Sequence, residues 1–234
     1  MEHEISAITG WLNASLGGLT GEPWHFSDQA VIAFTIVFAS AAIFPAWSRH
    51  FSLHEPGIGQ QMMEIGVNSV GMMLDSFIGQ HGRRYFPLMG AFAFFILMSN
   101  LLAFIPGFQP PTADLNTTVA LATVSFLAYN LVGIRTHGMA YAKQFVGEPL
   151  WLAPLMIPIE ILSHLARPLS LSLRLFGNIF GEHTLAAVFF NIAPLGIGLP
   201  VIFAPLGVFV SFMQTFVFCM LSMIYIAGAL EHGH

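Results

Sequence analysis

Arg174 lies in Ser170-Leu-Ser-Leu-Arg174-Leu-Phe-Gly-Asn178, within an apolar tract running from about Trp151 to Phe190. A guanidinium keeps its proton in proteins, so this tract carries a permanent cation. At bilayer depth such a charge costs between ~3 and ~17 kcal/mol, depending on how far water and lipid relax around it. An arginine placed there points to a function, and its partner must be negative. On a helix turning ~100° per residue, Arg167, Ser170, Gly177, Asn178 and Gly181 share its face. Glu160 returns to that face within about 40°, Glu182 sits at its margin, and His183 points away. A second stripe, Gly207, Ser211, Gln214, Ser222 and Tyr225, follows by the same spacing near the C-terminus. Glycines at 177, 181 and 207 allow another helix to come close.

The bland alternatives are specific. Glu160 and His164 could sit at a membrane interface, Gln214 could be interhelical glue, and Tyr225 could belong to an aromatic belt. Asp114 and Asn116 read as cap and turn residues. The remaining histidines, His137 among them, read as solvated. There is no HExxH and no Cys/His cluster, so neither a metal nor a cofactor is expected. Cys219 is the one cysteine and cannot form an internal disulfide.

These stripes need long membrane helices to carry them. The chain is 56% hydrophobic and 8% charged, with mean hydropathy +0.74. Soluble domains are near 25% charged, so the bilayer is this chain's solvent. The few basic residues form no patch, which argues against nucleic acid as a partner. We read an all-α integral membrane protein of one domain, with about five membrane helices and an amphipathic helix. An external N-terminal segment, 1–28, precedes a span at 29–48. Segment 57–80 is amphipathic, with Gln60, Glu64, Asn68 and Asp75 opposite Met62, Gly66, Val70, Met73 and Phe77. Spans follow at 85–105 and 113–134, with Thr112 or Asp114 as the N-cap of the latter. Segments 150–192 and 198–230 form a long hairpin, with Pro194, Gly196, Gly198 and Pro200 at its turn. The first of these would be ~60 Å long, twice the hydrocarbon thickness. It is either one helix steeply inclined or two spans broken near Arg167-Pro168.

Arg49, Arg83, Arg84, Arg135 and Lys143 all fall on one side of three alternating spans. By the positive-inside rule that side is cytoplasmic, which puts the N-terminus outside and, with a final hairpin, the C-terminus inside. The N-terminus has no basic or Arg/Ser-rich leader, which favours a bacterial inner membrane over an organelle inner membrane.

Arg167-Pro-Leu-Ser-Leu-Ser-Leu-Arg174-Leu-Phe-Gly-Asn178 resembles the signature of subunit a of the F-type ATP synthase. Glu160, Gln214 and Tyr225 extend the match, as do Met98-Ser-Asn100-Leu and Pro111-Thr-Ala-Asp114-Leu-Asn116-Thr117. The likeness covers roughly Met62 to the C-terminus. It implies a non-catalytic stator subunit whose last two helices lie steeply inclined against a ring of c subunits. Peripheral-stalk b subunits, the soluble catalytic head and membrane lipid are the other implied partners. It implies that Arg174 faces a carboxyl on the ring, that Glu182 or His183 serves a half-channel from outside, and that Glu160 serves one to the inside. Asn178 and Gln214 join this proton-translocating set, and Ser170, Arg167, His164 and Tyr225 become its polar lining. The chain departs from some bacterial relatives at Gly207, where they carry histidine, and at His183, where they carry glutamate. Proton translocation is the expectation, with sodium as the alternative, because the ion-binding carboxyl would belong to the ring. A self-contained transporter with an arginine-bound anion is the rival reading, although no paired repeat of the kind such folds show is visible.

Overall fold

A computed structural model describes residues 9–10, 28–49, 51–52, 56–79, 82–104, 110–138, 141, 153–192 and 198–231. The described residues form helices and turns, with no strand among them. Helix α1 is Asp28–Ser48, α2 is Ile58–Phe77, α3 is Phe86–Leu102, α4 is Leu115–His137, α5 is Ala153–Ile192 and α6 is Gly198–Glu231. One-turn 3-10 segments, Gly82–Tyr85 and Pro111–Ala113, lead into α3 and α4. By length and composition, Gly82–Leu102, Leu115–His137 and Pro205–Glu231 can cross a membrane; Gln29–Pro45 is a shorter apolar helix.

The periodic residues decide how the helices pack. On α3, Met89, Phe92, Ile96, Ser99 and Asn100 are buried, a face repeating every three to four residues. It meets α6 through an edge-on contact of Phe92 with Phe218, centroids 5.4 Å apart. On α4 the buried residues are Thr118, Ala122, Ser125, Tyr129 and Gly133. Small side chains on this stripe let backbones approach, which is how membrane helices gain contact where apolar burial adds little. Ser125 donates to Ser222 Oγ of α6 at 2.8 Å, a polar pair sealed in the core. Gly133 is where Tyr141 folds back, because a Cβ there would enter the tyrosine ring.

Asp114 caps α4 as expected, its carboxylate accepting from the Asn116 backbone N–H at 3.2 Å. Thr112 is instead buried and donates to Asn100 Oδ1 at 2.8 Å, tying the start of α4 to α3. His137, read from sequence as solvated, is half-buried, and its Nε2 lies 3.2 Å from the Leu230 carbonyl near the end of α6. The last carbonyls of a helix lack intrahelical donors, so a nearby imidazole finds a partner there.

Helix α2 buries Leu74 and packs Val70, Met73 and Phe77 on the core. Met62, expected on that same face, is exposed, because the core ends before the first turns of α2 reach it. An Arg83–Asp75 ion pair of 2.9 Å ties the end of α2 to the start of α3.

Helix α5 runs unbroken for 40 residues through Pro158 and Pro168. That is ~60 Å against a hydrocarbon core of ~30 Å, so one end-to-end crossing requires a steep incline. Each proline removes one ladder hydrogen bond, a cost that packing of α5 on α4 and α6 offsets. Leu171, Leu175 and Ile179 are its anchors, each at most 2% exposed.

Candidate functional site

Burial of Leu171, Ser172, Leu175 and Ile179 fixes which side of α5 looks outward. Ser170, Arg174 and Gly177 lie away from that side and Asn178 at its edge; all four are exposed, set among Leu169, Leu173 and Phe180, which are exposed too. The polar stripe thus occupies an uncovered apolar surface of the chain. Among the described residues no carboxylate pairs with Arg174: the one ion pair there joins Arg83 to Asp75.

The two stripes meet at one defined point. Asn178 Nδ2 donates to Gln214 Oε1 at 2.5 Å, bridging α5 and α6 one helical turn from Arg174. Gln214 is 3% exposed, whereas Asn178 is open, so the bond joins the buried interface to the outward face. One turn before Gln214, Ser211 is fully buried, and one turn further back is Gly207.

Glu182 reaches from α5 to α6, into the space Gly207 leaves. A Cβ at residue 207 would collide with Glu182 Oε1 and would come within 2.7 Å of the Phe104 ring. Glu182 therefore stands between α5, α6 and the end of α3. Its Oε2 is buried without a hydrogen-bond partner, and so are Ser211 Oγ and Gln214 Nε2 on α6, and Ser99 Oγ and Asn100 Nδ2 on α3. Buried polar groups are normally satisfied by protein or by water, and five such atoms lie on α3, α5 and α6. His183 follows Glu182 in α5, and its side chain lies outside the described residues.

Toward the N-terminal half of α5 a second polar cluster forms. His164 is 5% exposed, with its Nε2 2.9 Å from Asn130 Oδ1 and 3.4 Å from Tyr129 OH. Asn130 Nδ2 donates to the Phe126 carbonyl at 2.8 Å, which leaves Oδ1 as the acceptor and assigns the proton to His164 Nε2. Tyr141 OH also donates to Asn130 Oδ1, at 3.3 Å, and burial pushes its phenol above the usual range. Tyr129 lies beside Tyr225, ring centroids 5.7 Å apart, and the Arg167 guanidinium sits over the Tyr225 ring at 5.3 Å. A cation on an aromatic face is held by the ring quadrupole. Glu160, half-buried, is one turn before His164.

Asn178 with Gln214, Glu182 with Gly207, and Arg167 with Tyr225 are thus brought together, each across α5 and α6. Arg174 and Ser170 are set on the open side, and His164 turns from that side toward α4. Tyr129, Asn130 and Tyr141 escaped the reading from sequence, and Ser99 and Asn100 entered it only within the Met98-Ser-Asn100-Leu likeness. For Tyr129 a signal existed: the three- and four-residue spacing of Thr118, Ala122, Ser125, Tyr129 and Gly133 marks a packed face.

Fold and site together define an all-helical integral membrane protein with a permanent cation and two polar stripes on its longest helices. The family model for ATP synthase A chain matches residues 30–227. The chain is 54% identical to ATP synthase subunit a 1 of Syntrophotalea carbinolica over 179 residues, 76% of each chain. It is 50% identical to ATP synthase subunit a 3 of Pelobacter propionicus over 215 residues, 91% of this chain and 93% of that one. Against ATP synthase subunit a of Geobacter sulfurreducens the identity is 45% over 216 residues, 91% of this chain and 93% of the relative. The chain belongs to the ATP synthase A chain family, and is a bacterial membrane protein that forms part of an ATP synthase complex.

Proposed function

We propose that this chain is the stator half of an ion-driven rotor, with Arg174 as the residue that discharges each passing rotor carboxyl. The observation that carries this is the placement of Arg174: a permanent cation on an uncovered apolar face, with no carboxylate paired to it among the described residues. The missing anion is supplied by another chain. In a member of this family the natural source is a ring of c subunits, each with a carboxyl at membrane depth, docked on the open face of α5.

The chemistry follows from electrostatics. A carboxyl surrounded by lipid stays protonated, because burial penalises its charged form. At ~4 Å from Arg174 and an effective dielectric of ~20, the attraction for the carboxylate is worth up to ~4 kcal/mol. That shifts the acid–base balance toward the carboxylate by about three powers of ten. The arriving acid gives its proton to the inner half-channel and pairs with Arg174. It leaves only after taking a proton from the outer half-channel, which breaks the pair and restores a neutral group fit for lipid. A fixed cation between the two half-channels also repels protons that would cross without turning the ring. The membrane potential contributes ~2.3 kcal/mol per charge per 100 mV.

The outer half-channel follows the Glu182, Ser211 and Gln214 seam, with Glu182 and His183 as its relay groups. The orphaned polar atoms on α3, α5 and α6 support this route, because such atoms need water. The inner half-channel begins at Glu160 and passes Arg167, Ser170 and Tyr225. Asn178 and Gln214 hold the stripes in register beside Arg174. The basic residues Arg49, Arg83, Arg84 and Arg135 support a cytoplasmic placement for the inner side and the C-terminus, with the N-terminus outside. The b subunits and the catalytic head join through the complex.

Arg174→Ala tests this assignment. The complex should assemble, yet ATP-driven proton pumping in membrane vesicles should be abolished. Near-normal pumping by the mutant would refute the role.

A further inference from the structure

Side chains in the N-terminal half of α5 close a loop through three helices. His164 of α5 lies edge-on to Tyr129 of α4, ring centroids 5.3 Å apart, with its Nε2 on Asn130 Oδ1. Tyr129, 1% exposed, lies against Tyr225 of α6 at 5.7 Å. The Tyr225 ring carries Arg167, again of α5, on its face at 5.3 Å. The contacts thus run from α5 to α4, on to α6, and back to α5 one turn after His164. Phe126 packs on both His164 and Tyr129, at 5.1 and 5.3 Å, and backs the loop. Among the described residues no carboxylate pairs with Arg167: the one ion pair there joins Arg83 to Asp75. An aromatic face holds a guanidinium without cancelling its charge.

Arg167 stands two turns, ~10 Å, before Arg174 on the same face of α5. A rotor acid that gives its proton to the inner half-channel meets the field of Arg167 before it pairs with Arg174. We propose that Arg167 is a second discharging cation, fixed over Tyr225 by Tyr129 and His164 as positioning residues, and that it sets the inner pH at which the rotor carboxyl lets its proton go. This role depends on the stator function proposed for Arg174. The titratable and charged groups around Arg167 are Tyr129 and Tyr141 from the α4 side, Tyr225 from α6, and Glu160, His164 and Arg174 on α5 itself. Of these Glu160 is the one acid, two turns away. At ~10 Å and an effective dielectric of ~20, a cation shifts the ionisation of a carboxyl by about one pH unit. Without it the acid is weaker, and proton release needs a more alkaline inner side. A guanidinium freed from the tyrosine ring keeps its charge but swings away, and at twice the distance it keeps half the effect.

The test is passive proton flux through inverted membrane vesicles stripped of the soluble head. An interior-positive potassium diffusion potential drives protons from lumen to bath, and the bath, which bathes the cytoplasmic face, is varied in pH. Arg167→Gln should move the midpoint of the flux–pH profile up by about one pH unit. Tyr129→Leu should move it up by about half a unit, and His164→Leu should do the same if Tyr129→Leu fails to assemble. Tyr129→Phe keeps the ring and should hold the unaltered midpoint. A residue that only stabilised the fold would lower the amplitude and leave the midpoint in place. An unshifted midpoint in Arg167→Gln overturns the proposal, as does a Tyr129→Leu profile that matches Tyr129→Phe. Near-normal ATP-driven pumping by Arg174→Ala would defeat the stator function itself; lost pumping there with an unshifted Arg167→Gln defeats the second cation alone.

Discussion

Gly207→Ala is the smallest change that probes the outer seam. The added methyl group would land on Glu182 Oε1 and lie 2.7 and 2.8 Å from two carbons of the Phe104 ring. Carbon atoms rest at ~3.5–4.0 Å, so both neighbours must yield. The glutamate is the flexible one, and it will swing to another rotamer. Overpacking of this kind costs ~1–3 kcal/mol. If the carboxyl hands protons toward the ring, a displacement near 1 Å can cost about a hundredfold in rate. Proton conduction should therefore fall by up to about a hundredfold, with the overpacking cost borne by stability. The assay is passive proton flux in vesicles stripped of the soluble head, driven by a potassium diffusion potential, with assembly checked by native gel. Gly207→Ala combined with Glu182→Asp, one methylene shorter, makes room for the methyl and should recover most of the flux. Full conduction by an assembled Gly207→Ala complex would sink the reasoning, as would a double mutant no better than the single one.

Glu182→Gln and His183→Ala should each slow passive proton entry in the same stripped vesicles; normal flux in both and in the double mutant would move the outer path elsewhere. Gln214→Leu removes the acceptor of Asn178 Nδ2, a bond worth ~0.5–1.5 kcal/mol, so ATP-driven pumping should drop up to about tenfold with assembly preserved. Gly133→Ala forces Tyr141 off α4 and should destabilise the subunit by ~1–3 kcal/mol, read as a lower thermal midpoint of the purified complex.

The amino-acid sequence by itself determined that this is a membrane protein, where its helices run, and that Arg174 shares a stripe with Ser170 and Asn178. Those properties are local. Hydropathy and a 3.6-residue period are written along the chain and need no knowledge of a neighbour. The same holds for Asp114 as a cap, since its partner is two residues away. Continuity of α5 through Pro158 and Pro168 was not legible, because proline both kinks and breaks helices, and only packing on α4 and α6 selects between them. Tertiary structure alone decided that Asn178 meets Gln214, that Glu182 occupies the hollow at Gly207, that His164 turns to Asn130 and that His137 reaches Leu230. Each pair lies 25 or more residues apart, on helices whose crossing and register come from side-chain interdigitation along their whole length. Periodicity assigns a residue to a face of its own helix; which residue stands opposite depends on how two surfaces fit.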